Sequence, residues 1–133
     1  MDDAQQLPPE TSADRRGIQT AELSNAMVRI YKEQFGRGPT KAHTVYATGD
    51  LLICTLENSL TREERSMLEL DEHQRVREIR MFFQCAFDKE FVVTVERITG
   101  RRVRGFVSGT DTHQDISTEV FYLEPQATSA NDD

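Results

Sequence analysis

The chain has no tryptophan, two cysteines, three histidines and a deficit of positive charge. Each shortage removes a class of protein. Cys54 and Cys85 stand in apolar surroundings without CxxC spacing, which excludes a disulfide framework or a zinc ribbon. They read as buried reduced thiols, with a single disulfide between them as the alternative. His43, His73 and His113 are not paired with other ligands at zinc spacing, so no metal is expected. No run approaches the ~18 uncharged apolar residues of a membrane-spanning helix, and the acidic N-terminus lacks a secretory apolar segment. Sixteen basic against twenty-three acidic side chains give a net charge of −7, which disfavours nucleic acid and anionic lipid as partners. Neither a GxSxG elbow nor a GxxxxGK[ST] loop occurs, and Gly36-Arg37-Gly38-Pro39 terminates a helix rather than cradling a phosphate. An enzyme is not expected, nor a cofactor.

What is present is one domain's worth of patterned sequence. At 133 residues the chain suits a single modest core. Residues 1–17 and 125–133 are polar and poor in large apolar groups, and are expected to be disordered tails around a domain at 18–124. From Ile18 the positions Leu23, Ala26, Met27, Ile30 and Tyr31 recur at helical spacing up to Gly36. Two β-rich runs, Lys41 to Thr48 and Leu51 to Glu57, flank a Gly49-Asp50 turn. Thr61 with Glu64 forms a capping box that opens a second helix, which breaks near Leu70 to His73 because an unbroken helix to Thr99 would be far too long. After Gly100 a second hairpin follows, from Arg101 to Ser108 and from Asp115 to Glu124, with its turn region at Gly109 to Gln114. The order is thus αββ-ααββ. Two helix-hairpin units predict an α+β fold: a four-stranded antiparallel sheet with helices on one face and a long third helix.

That third helix carries Val76, Ile79, Phe83, Phe87, Phe91, Val95 and Ile98 in a near-heptad stripe. Its β-branched end, Phe91 to Val95, is assigned to helix because the spacing continues through it. About 29 residues at ~1.5 Å each make a rod of ~43 Å, longer than the ~34 Å width of a small domain. The overhang predicts a homodimer with Val76, Ile79, Phe83, Phe87 and Phe91 at its interface. The alternative is that the short second helix folds back and covers the stripe.

Two polar groupings invite a binding role. Arg97, Arg101, Arg102 and Arg104 gather at the end of the third helix, where they complement its dipole and could grip a small anion. Strand alternation places Arg102 and Arg104 on one face, Val103 and Val107 on the other. Asp111, His113 and Asp115 in the last turn could serve a metal-dependent enzyme, though such residues are also ordinary turn formers.

The series Gly36-Arg37-Gly38-Pro39, Gly49-Asp50-Leu51-Leu52, Leu60-Thr61 with Glu63-Glu64, and Ile98-Thr99-Gly100-Arg101 resembles the small bacterial MpsC-type family across residues 18–124. The resemblance implies a component of a sodium-translocating, membrane-potential-generating system. It points to a soluble, cytoplasmic accessory or regulatory protein that meets a membrane protein complex for cation movement and, through it, inorganic carbon supply. It carries over no catalytic residue.

Overall fold

The structure, a computed structural model, describes residues 11–126; most of both expected tails, at 1–10 and 127–133, lies outside them. Helix α1 spans Ser12–Phe35, strands β1 and β2 Lys41–Thr48 and Leu51–Glu57, helices α2 and α3 Arg62–Glu69 and His73–Thr99, and strands β3 and β4 Val103–Asp111 and Ile116–Leu123. The strands form one antiparallel sheet in the order β1-β2-β4-β3, so β1 and β3 are its edges. This is the expected αββ-ααββ arrangement, with a long third helix that continues through Phe91 to Val95 as helix.

Helix α1 starts six residues before Ile18. Thr11 Oγ1 accepts the Asp14 amide at 3.0 Å while the Asp14 carboxylate accepts the Thr11 amide at 3.1 Å. That reciprocal cap satisfies orphan donors and turns residues 12–17, expected as tail, into helix. Gly36 and Gly100 stop α1 and α3 at φ of 77° and 69°, a conformation that side chains with a Cβ resist. The Thr61–Glu64 box is also present at the start of α2. Thr61→Ala should cost about 1 kcal/mol, read as a lower urea midpoint at unchanged slope; an unchanged midpoint would mean that Glu64 holds the cap alone.

The expected α1 residues Leu23, Ala26, Met27, Ile30 and Tyr31 are all buried. They pack on Leu52, Cys54 and Leu56 of β2 and on Phe121 and Leu123 of β4, with Phe91 and Val95 of α3 closing the core. The inward row of α3 is Val76, Arg80, Gln84, Phe91 and Val95. Its central third is therefore polar, which a reading by hydrophobicity passes over.

Four expectations need correction. Val76 and Phe91, assigned to a dimer interface, are buried within the chain itself, and Ile79, Phe83 and Phe87 are half-buried. The short α2 is a minor part of that cover; α1 and β3 make the larger contact with α3. Val107 does not share the inner face with Val103: Val103 pairs with Leu123 and Gly105 with Tyr122, leaving Arg104 as an extra residue that flips the alternation. Phe106 and Ser108 then align with the inward residues Phe121 and Glu119, and Val107 is 58% exposed. Strand β3 runs on through Asp111, shortening the turn. Of the two thiols, Cys54 is buried and Cys85 is exposed; both are free.

Candidate functional site

Helix α3 lies over β3 with its middle third on polar groups. Arg80 is 1% exposed and donates from Nε to Glu64 Oε2 at 2.7 Å, and from Nη2 to Glu64 Oε1 at 2.6 Å and to the Ser59 carbonyl at 2.9 Å. Its guanidinium stacks 3.8 Å from the Phe35 ring centroid. Beside it, fully buried Glu119 of β4 accepts the Tyr31 hydroxyl at 2.6 Å and the Gln84 amide at 3.4 Å. Burial pushes the Glu119 carboxyl up to about 7, against the pull of Ser108, Tyr31, Arg80 and Gln84. Burial first, then the neighbouring Glu119, drives the Tyr31 hydroxyl well above its ordinary range. Burial likewise raises the Cys54 thiol to about 11, so it stays a neutral thiol. A cavity of about 130 Å³ lined by Met81, Gln84, Cys85, Asp88, Phe106 and Ser108 opens between α3 and β3 above this group.

The outer surface is apolar where the interior is polar. Met81 and Phe82 on α3 are 62% and 69% exposed. Among the described residues no helix lies on the opposite face of the sheet: α1 packs on β1 and α3 on β3 from the core side. Across it the strand register aligns Val45, Ile53, Val120 and Val107 in one row, with Leu51 and Tyr122 alongside. The row ends at the free edge of β3, where residues 105–110 include neither a charge nor a proline.

Of the arginines at the end of α3, Arg101 and Arg102 line one shallow pocket with Glu124. Arg101 is an anchor: it donates to the Gly49 carbonyl at 2.6 Å, to the Glu124 carbonyl at 2.8 Å, and to Asp50 Oδ1. Arg104 lies over the Tyr122 ring on the bare sheet face, and Arg97 and Arg102 are exposed. The last turn is occupied by its own backbone. Asp111 accepts the His113 and Gln114 amides, and Asp115 accepts those of Ser59 and Leu60 and pairs with Arg65. His113 stacks on His73 at 3.9 Å. Among the described residues no group of three acidic, histidine or cysteine side chains could hold a metal ion.

The architecture is an α+β fold of αββ-ααββ order, with all the described helices on one face of its four-stranded antiparallel sheet. Its family is shown directly: residues 15–125 match the model described as "Na+-translocating membrane potential-generating system (MpsC)", and the chain belongs to that family. No curated protein and no solved structure matches it. Among the described residues no helix is long and apolar enough to cross a membrane.

Proposed function

We propose that this chain is a non-enzymatic accessory or regulatory subunit that acts as a homodimer and docks peripherally on the membrane cation-translocating system to which its family is linked. One observation carries the reading: the apolar row Val45-Ile53-Val120-Val107 ends on the β3 edge, whose stretch 105–110, beyond the Arg104 bulge, carries neither charge nor proline. Natural sheets guard such edges with charges, prolines or short strands, because a long uncharged edge pairs with another strand. Strand β3 is nine residues long and centred on Val107, with Gly105 and Gly109 two positions to either side. Antiparallel pairing of two copies about Val107 sets glycine against glycine. It also brings Arg104 near one end of each strand toward Asp111 at the far end of its partner, twice by symmetry. The apolar row then continues across eight strands, about 34 Å over seven gaps of ~4.8 Å. Met81 and Phe82 of α3 lie on the helix layer behind the joined edges and add apolar area there.

Light scattering over a dilution series should give a dimer mass. Val107→Lys places two ammonium groups against each other on the two-fold and should raise the dissociation constant at least ~tenfold, with the melting temperature of the monomer unchanged. A monomer at every concentration removes the dimer. Docking is read separately, by recovering the chain with a defined membrane complex after cross-linking in intact cells. Val45→Asp, far from the β3 edge, should abolish that recovery while leaving the dimer intact, and unchanged recovery would remove the docking face.

A further inference from the structure

Helix α3 carries a further exposed stripe. Glu78, Met81, Phe82, Cys85, Ala86 and Lys89 are all exposed and recur at i, i+3, i+4, i+7, i+8 and i+11, one face of the helix. The apolar positions occupy the middle, with a carboxylate one turn before them and an ammonium one turn after. Glu78 accepts a hydrogen bond from the Gln74 side chain at 3.2 Å, and neither Glu78 nor Lys89 forms an ion pair among the described residues.

Such a stripe complements itself in one direction only. Laid antiparallel on a second copy about the midpoint between Phe82 and Cys85, it sets Glu78 against the partner's Lys89, twice by symmetry. Phe82 then falls opposite the partner's Cys85 and Met81 opposite the partner's Ala86. In this register Arg77 faces the partner's Glu90, and no like charges oppose each other anywhere between residues 74 and 93. A parallel pair in register would set Glu78 on Glu78 and Lys89 on Lys89, which is repulsive at both ends.

The fold delivers α3 to a second copy in the antiparallel sense. The helix runs antiparallel to β3: Arg77 donates to Thr112 Oγ1 at 3.2 Å near one end, and Glu96 accepts the Val103 amide at 2.9 Å near the other. Between these contacts Met81, Gln84, Cys85 and Asp88 line one cavity with Phe106 and Ser108, the two neighbours of Val107. The middle of the stripe thus lies at the level of Val107. A two-fold axis there that joins two β3 edges also carries the two α3 helices past each other antiparallel. Phe82 comes to the partner's Cys85 beside that cavity, whose volume of about 130 Å³ is close to the ~150 Å³ that takes up a benzene ring.

From this geometry we infer that the occupant of the α3 stripe is α3 of a second copy, packed antiparallel, with Phe82 as the apolar knob and two Glu78–Lys89 ion pairs setting the register. The inference rests on the β3-edge dimer proposed above and names the helical half of its interface.

Sedimentation velocity of the full chain over a dilution series, at low ionic strength, tests it by charge reversal. Lys89→Glu and Glu78→Lys each turn both ion pairs into like-charge contacts and should raise the dissociation constant about fivefold or more. The double variant Glu78→Lys with Lys89→Glu restores opposite charges and should return to within about twofold of wild type. Phe82→Ala, an exposed position, should weaken the dimer about tenfold with the melting temperature of the dilute monomer unchanged. Single reversals without effect, beside a Val107→Lys that weakens the dimer, would keep the strand pairing, overturn the helix pairing and leave the stripe to a different partner. Weakening that accumulates in the double variant would overturn it as well. Reversals that act while Val107→Lys does not would remove the strand pairing and keep the helices. A monomer at every concentration removes both.

Discussion

Arg80→Met is expected to destabilise the fold by about 3–5 kcal/mol, a fall in melting temperature of about 10 °C or more. The substitution leaves the Glu64 carboxylate in the interior without the two charge-assisted bonds that compensate its burial. It also strips the Ser59 carbonyl of its donor and the Phe35 ring of its cation. Burial alone would raise the Glu64 carboxyl; Arg80 and the Thr61 cap outweigh it and hold the group below its usual range. A rescue separates charge from packing. Adding Glu64→Gln to Arg80→Met removes the stranded charge and keeps a capping-box side chain, so the double variant should be more stable than Arg80→Met alone. Urea unfolding of the three proteins decides, and a double variant no better than the single would assign the loss to packing.

Glu119→Gln should abolish a pH dependence that wild type shows between about 4.5 and 7. The folded carboxyl, raised from 4.5 to about 7, still holds a proton in a range where the unfolded chain has released it. Stability therefore falls as pH rises through this window and levels off above it, by about 3 kcal/mol at ~1.36 kcal/mol per unit. The glutamine keeps an acceptor for the Tyr31 hydroxyl and carries no charge. The variant should thus match wild type near pH 5 and exceed it near pH 8. Glu64 runs the other way: held below 4.5, it adds stability above that pH and loses it as the solution becomes more acidic. The two carboxyls together place the stability maximum close to pH 5. A wild-type slope retained in Glu119→Gln would transfer the effect to another group.

Much of the architecture was legible because local signals agreed. The α1 stripe, the Gly36 and Gly100 stops, the Gly49 turn and the Thr61 box each name a boundary, and the structure places them as read. The polar centre was not legible. Arg80 and Gln84 each fall one residue after the apolar positions Ile79 and Phe83 that a heptad count selects, and an α-helix drifts against a strict seven-residue repeat, so the inward row passes through them. One signal was available: Glu119 occupies the same alternation as Ser117, Phe121 and Leu123, a carboxyl on the inward face of a strand. The Arg104 bulge that sends Val107 outward left no comparable trace, because one extra residue in a pairing belongs to two strands at once.

The sequence by itself determined which segments are helix and strand, the glycine stops of α1 and α3, and the αββ-ααββ order, since capping, periodicity and glycine conformations act within a few residues. Only the tertiary structure decided which polar side chains are buried and which partners they meet. Arg101 is held by the Gly49 carbonyl, Asp50 and the Glu124 carbonyl because the Gly49 turn folds against it across more than fifty residues of chain. Burial and charge proximity are properties of that three-dimensional packing, and no local pattern encodes them.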